Sequence, residues 1–296
     1  MSKAQNNTYR VETDGFFGEL FILTEDKYPG KVLICFSGSD GKIELSKMLA
    51  NVFQSHGLTT MALAYVMEEG LPTKFSRIPI NFLAAAAKHL HDMEYEKVGL
   101  WGISKGAELA LTAGSLLPGL VNAVIAVAPM NTVCQGFAKE KGVSFASGSS
   151  WSFHGEEVPY TAYGLDKFPI GNVFWRSVKA RELTMYDLYL PMVQNPNPEV
   201  VIKVEKITGP ILLISSKMDT MWPSELVAKQ IVKRLQDCSF PYLYKHLSYD
   251  YGGHMFVPVE LPQIKFFKGD RGKNKELGRK ARMDSLVKTL EFVSQW

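Results

Sequence analysis

Gly102-Ile103-Ser104-Lys105-Gly106 is the run in this chain whose residue types and spacing point most directly to chemistry. It matches G-x-S-x-G, with the strand-like KVGLWGIS (97–104) before it and the helical KGAELALTAGSLL (105–117) after it. That context is what a nucleophile elbow requires: a serine held on a sharp strand-to-helix corner with its hydroxyl exposed. Glycines at both ends give the turn room and unusual dihedrals. The amide of Lys105 would open the helix, where a free N–H can donate to an oxyanion. A serine hydroxyl needs a base and the base an orienting acid. On this type of elbow the chain order is Ser, then Asp or Glu, then His.

Three histidines follow Ser104: His154, His246 and His254. His246 lies inside the strand-like PYLYKHL, where a structural histidine is expected, and His154 lies in an irregular stretch. His254 ends Tyr251-Gly252-Gly253-His254, a glycine-rich loop beyond the last strand, and is the expected base. The acid should follow an intervening strand. PILLISS (210–216) leads to Asp219, whereas VNAVIAVA (121–128) leads to Pro129-Met130-Asn131, which has no carboxylate. Asp250 is the alternative, with a turn-forming role as its other reading. The second oxyanion donor is expected from Ser37-Gly38-Ser39-Asp40-Gly41, as the amide of Ser39, with Gly38 and Asp40 as alternatives.

The elements that must hold these residues are short apolar runs alternating with helical patterns. KVLICF (31–36), LTTMALAY (58–65), KVGLWGIS, VNAVIAVA and PILLISS read as buried strands, and PYLYKHL (241–247) as one nearer an edge. Between and after them, 43–57, 79–93, 105–117, 224–236 and 283–296 have helical spacing, with Ser224 as an N-cap candidate. The pattern predicts an α/β fold with a mostly parallel central sheet and helices on both faces, one domain over 1–296. Residues 131–208 break the rhythm: they are rich in Gly, Pro and aromatic residues and lack a clear strand. A structureless loop of that size is improbable, so a cap inserted after VNAVIAVA is expected. Its Phe153, Phe168, Phe174 and Trp175, with Trp222 beyond Asp219, are the candidate lining of an apolar substrate pocket.

Composition sets the outer bounds. Hydrophobic residues make up 46% and charged residues 21%, which excludes disordered and low-complexity classes. Net charge of +3, from 33 basic and 30 acidic side chains, is too balanced for nucleic acid as the main partner. No apolar run approaches the ~20 residues that a bilayer requires, so no membrane partner is expected. The polar start MSKAQNNTYRVETDG carries no secretory pattern. Cys35, Cys134 and Cys238 form neither a disulfide framework nor a zinc motif, which favours a reducing cytosol and no metal. A basic cluster from Lys265 to Arg282 reads as a solvated loop or as a phosphate dock.

These motifs resemble a known family. Thr60–Tyr65, Leu71-Pro72 and the run Val98 to Leu109 look like the C-terminal catalytic domain shared by acyl-CoA thioesterases and bile acid-CoA:amino acid N-acyltransferases. Asp219 followed by Trp222, Ser224 and Glu225 is similar to that family's acid loop, and Gly253-His254 with Pro258 and Pro262 to its histidine loop. The resemblance runs from about residue 30 to the C-terminus, and G-I-S-K-G-x-E-L is much more specific than G-x-S-x-G. It implies an α/β-hydrolase fold with Ser104, Asp219 and His254 as triad and no cofactor. Serine rather than cysteine at the nucleophile places the chain with the hydrolases. Longer members carry an N-terminal β-sandwich; about thirty residues precede the first central strand here, too few for one.

The expectation is therefore a serine hydrolase of activated acyl compounds, small-molecule acyl-CoA thioesters first. A carboxylesterase or dienelactone-hydrolase-like ester hydrolase is the alternative. A non-catalytic binding module would require a broken triad.

Overall fold

Apolar runs that do not alternate must be covered on both faces. Here they fill the middle of one sheet, in a computed structural model that describes residues 4–138, 144–163 and 170–296. Ala4–Tyr9 (β1) and Phe17–Leu23 (β2) flank one helical turn, Val11–Asp14 (α1), and pair antiparallel. Lys31–Phe36 (β3), Ile43–Ser55 (α2), Thr60–Ala64 (β4), Ile78–Pro79 (β5) and Asn81–Asp92 (α3) follow. Next come Lys97–Ile103 (β6), Lys105–Leu116 (α4) and Ala123–Val127 (β7). After the insertion described below, Ile211–Ser216 (β12), Ser224–Asp237 (α7), Tyr244–Tyr249 (β13) and Lys275–Gln295 (α8) close the chain.

The insertion contains Gln135–Ala138 (β8), Ser144–Ser149 (β9), Trp151–Phe153 (β10), Glu156–Glu157 (β11), Ile170–Ala180 (α5) and Tyr186–Gln194 (α6). The segment whose sequence lacks a clear strand thus has four short ones among its described residues. They form by pairing with each other and with β5, which no local pattern announces.

The main sheet runs β1-β2-β4-β3-β6-β7-β12-β13. From β4 to β13 every pairing is parallel; β1 and β2 add an antiparallel edge that sequence patterning did not reveal. Alternate strand residues point to opposite faces. Val32, Ile34 and Phe36 join the core under α3, α4 and α7, while Leu33 and Cys35 join the one under α2 and α8. The strand expected near an edge is the edge strand β13. Two local expectations are corrected. Pro223, not Ser224, takes the N-cap position of α7, and the Ser224 hydroxyl is buried with no hydrogen-bond partner among the described residues. α8 starts at Lys275, earlier than the apolar spacing from Met283 suggested. Among the described residues no helix is long and apolar enough to cross a membrane.

Candidate active site

A single residue turns the chain from β6 into α4. Ser104 has φ 59° and ψ −123°, a conformation rare for a side-chain-bearing residue and held only by its surroundings. Its amide donates to the Val127 carbonyl at 2.9 Å, fastening the corner to the end of β7. Its carbonyl accepts from the amides of Ala107 (2.9 Å) and Glu108 (3.1 Å), which starts the helix. A Cβ at Gly102 would collide with the Gly106 carbonyl, and one at Gly106 with the Ser37 carbonyl. Both glycines of the motif are therefore steric requirements of the turn.

The loops after β12 and β13 bring two more side chains to this corner. His254 Nε2 lies 2.8 Å from Ser104 Oγ. His254 Nδ1 lies 3.0 Å from each carboxylate oxygen of Asp219. Asp219 Oδ1 also accepts from the amides of Met221 (3.0 Å) and Trp222 (3.4 Å), which fixes the carboxylate. The Trp222 ring stands edge-on to the His254 ring, centroids 4.8 Å apart, and its indole N–H donates to the Ala128 carbonyl at 3.2 Å. His254 and Asp219 are buried and Ser104 is half-buried. A carboxylate on Nδ1 favours the tautomer whose Nε2 lone pair faces the hydroxyl, so the arrangement can move a proton from Ser104 Oγ.

The other histidines and the other aspartate lie elsewhere. His246 Nε2 sits 2.8 Å from Ser215 Oγ, between β13 and β12, and burial lowers its pKa. His154 is exposed beside Asn81. Asp250 is exposed and pairs with Lys217 at 2.6 Å.

On the opposite side of the corner is the 37–41 loop. A Cβ placed on Gly38 would lie 3.3 Å from Ser104 Cβ, so this backbone reaches the elbow itself. Ser39 is at the exposed tip of a turn closed by Gly41 N–H to Gly38 O at 3.0 Å. Tyr65 holds the loop: its hydroxyl donates to the carbonyls of Ser37 (3.0 Å) and Gly38. Its amide donates to Gly41 O at 3.0 Å. Burial pushes the Tyr65 hydroxyl well above its ordinary pKa, so it stays a donor. Sequence reasoning missed this role; the one available signal was a tyrosine ending the apolar run of β4.

The aromatic residues expected to line a pocket separate. Trp222 is buried against His254, and Phe153 is half-buried against the His154 ring. Phe168 lies outside the described residues. Phe174 and Trp175 are 64% and 69% exposed and touch each other, apart from Trp222. α5 makes polar contacts, Arg176 to Asp187 and Ser177 to Thr184, and carries Phe174, Trp175 and Val178 exposed.

The basic cluster borders a cleft of about 520 Å³. Arg282 is not free there: it is buried between Asp270 and Glu260, and Arg279 pairs with Glu276. Asp270, which sequence reasoning saw only as an interruption of the cluster, also accepts from the Gly253 amide and so supports the loop that carries His254. Burial is the largest influence on its carboxyl and raises its pKa. Among the described residues no group of three His, Cys, Asp or Glu side chains could hold a metal ion.

The family described as "BAAT / Acyl-CoA thioester hydrolase C terminal" matches residues 78–268. Human acyl-coenzyme A thioesterase 1 is 26% identical over 223 residues, covering 74% of this chain and 47% of the relative. Human mitochondrial acyl-coenzyme A thioesterase 2 is also 26% identical, over 74% of this chain and 41% of its own length. The matched segment thus spans under half of these relatives. Among solved structures, an α/β-hydrolase enzyme from a deep-sea metagenome library aligns with TM-score 0.55 at 13% identity, over 100% of both chains. A dienelactone hydrolase-like promiscuous phosphotriesterase from metagenomic libraries aligns with TM-score 0.53 at 12% identity, over 99% of this chain and 98% of its own. At such identities the structural likeness shows the fold, which is the α/β-hydrolase fold.

Proposed function

The chain belongs to the BAAT / acyl-CoA thioester hydrolase C-terminal family, and on that premise we propose that it is a serine hydrolase of activated acyl compounds, acting first on acyl-CoA thioesters. The observation that carries the reading is the hydrogen-bonded series Ser104, His254, Asp219, at 2.8 and 3.0 Å. It stands at the strand ends where open α/β sheets place their sites.

Ser104 Oγ attacks the acyl carbonyl while His254 Nε2 takes its proton. Asp219 holds the imidazole tautomer and stabilises the imidazolium. The amides of Lys105 and Ser39 donate to the oxyanion of the tetrahedral intermediate. Collapse breaks the carbon–sulfur bond, and the thiolate leaves with the proton from His254. The acyl group is then an ester on Ser104. Water, deprotonated by His254, attacks that ester; the carboxylic acid leaves and Ser104 recovers its proton. Phe153 and Trp222 are proposed to meet the acyl group, and 131–208 to serve as a cap of the same domain. The free thiols of Cys35, Cys134 and Cys238 support a reducing, cytosolic setting.

The test is hydrolysis of an acyl-CoA series against matched oxygen esters, with free thiol detected. Thioester turnover exceeding that of the matched esters is expected. Ester turnover without thioester turnover would keep the machinery and replace the substrate class; turnover of neither would sink the proposal.

A further inference from the structure

Lys105 offers one proposed oxyanion amide, and its side chain is buried. The ammonium donates to Glu108 Oε1 at 2.5 Å and to Ser150 Oγ at 2.9 Å. It sits 5.5 Å from the centre of the Phe75 ring and 5.4 Å from that of Trp151, within cation–π range of both. Glu108 is fully buried. Its Oε1 also accepts the Trp151 indole N–H at 2.8 Å and the Cys134 amide at 3.2 Å. Ser150 completes the group by donating to the Cys134 carbonyl at 2.8 Å. Tyr65, which holds the 37–41 loop, packs edge-on against both Phe75 and Trp151.

One carboxylate oxygen therefore receives donors from two places: the residue after the nucleophile, and the inserted segment at Cys134 and Trp151. The backbone of Glu108 is tied to the same corner, since its amide donates to the Ser104 carbonyl. Stability alone is a poor reason for this pair. Two charges lose their hydration on burial, and well-packed apolar residues often serve as well. What apolar residues cannot supply is a fixed direction for the first turn of α4.

We propose that Lys105 and Glu108 are positioning residues whose buried pair locks the Lys105 amide to the Cys134–Trp151 part of the insertion, so that the oxyanion site and the cap are held as one unit. This rests on the reading of Ser104 as nucleophile. The decisive variant is Lys105→Met/Glu108→Gln. It removes both charges together and leaves a side-chain carbonyl for Trp151 and Cys134, in contrast to single changes that strand a buried charge.

Turnover of the best acyl substrate is measured together with inhibition by a trifluoromethyl ketone, whose hemiketal oxygen occupies the oxyanion site. We expect kcat to fall about 10- to 100-fold, approaching the ~10²–10³ for a lost oxyanion donor. KM should stay within about twofold, and the ketone's Ki should rise in parallel with the loss in kcat/KM. A lower melting temperature with kcat and Ki unchanged would leave only a structural role and overturn the proposal. If the double variant does not fold, Trp151→Phe decides: it removes one donor on Glu108 and keeps a ring near the ammonium. A several-fold fall in kcat matched by Ki supports the inference, and no change in either overturns it. Ser104→Ala separates the two levels. If it retained turnover, both readings would fall; if it is inactive while the pair variants match wild type, only the positioning role falls.

Discussion

Trp151 and Trp175 belong to the same inserted segment, yet one is fully buried and the other is 69% exposed. An indole can be buried at little cost only where its N–H finds an acceptor and its ring finds close neighbours. Trp151 has both: the Glu108 carboxylate, and the rings of Tyr65 and Phe75. Trp175 touches Phe174 on a helix whose neighbouring residues are held by polar contacts. The first half of the insertion is thus tied to the elbow, while α5 in the second half leaves a ridge of Phe174, Trp175 and Val178 in solvent. The loops at the strand ends are a third case. There Ser104, Asp219 and His254 are each fixed by hydrogen bonds from the backbone or from one another. The difference implies a gradient: substitutions in the loops should change rate, those near Trp151 stability and rate, and those on α5 neither.

The steepest point on that gradient is Ser104→Ala. It should lower kcat by about 10⁴- to 10⁶-fold, leaving only binding and oxyanion stabilisation. The melting temperature should stay near wild type, because the side chain is half-buried at a surface corner. Near-normal turnover by the folded variant would break the comparison at its root. Next is Asp219→Asn, which would favour the wrong tautomer of His254 and should cost about 10⁴-fold in kcat. Asp250→Asn, in an exposed pair with Lys217, should stay within about twofold. Reversal of these two effects would mean that the acid lies after β13 rather than β12.

The gradient is steep in stability as well. Trp151→Ala leaves a cavity among Tyr65, Phe75 and the Lys105 ammonium and should cost about 3–5 kcal/mol in urea unfolding. Trp175→Ala, on the exposed ridge, should fall within about 0.5 kcal/mol of wild type. Equal effects would show that α5 packs in solution in a way that its ridge here does not.

The same contrast explains what could be read in the sequence. Runs such as KVLICF and PILLISS declare themselves because a strand covered on both faces needs apolar residues at every position. The elbow declares itself because two glycines and a serine are required within five residues, whether the backbone each glycine meets is near in sequence, as for Gly102, or distant, as for Gly106. The strands β8 to β11 do not, since their partners are each other and β5, and runs of two to six residues are too short to show a period. Nor could a count of aromatic residues tell Trp151 from Trp175; the carboxylate that decides between them belongs to α4. Asp219 and His254 were legible by position, as the groups beyond successive strands. The props behind them, Asp270 on the Gly253 amide and Tyr65 on the 37–41 loop, depend on side chains meeting across the fold.

The smallest effect extends the comparison from tryptophans to histidines. His246, on the edge strand β13, is half-buried beside Ser215 of β12, and burial lowers its pKa from 6.5, with Glu225 opposing and Lys229 reinforcing the shift. With the folded-state pKa depressed, the unfolded chain binds the extra proton more readily. Its contribution to stability is therefore present above pH ~6.5 and is lost as the pH falls from there through the folded-state value. Unfolding free energies of wild type and His246→Gln, measured by urea between pH 5 and 8, should diverge in slope below about pH 6.5. The variant should have the shallower dependence. The pH profile of kcat/KM should be the same in both proteins, because His246 faces Ser215 and the histidine beside Ser104 is His254. If His246→Gln moved the rate profile and left the stability profile alone, the strand histidine would be the one coupled to chemistry, and the division between a fixed frame and working loops would have to be redrawn.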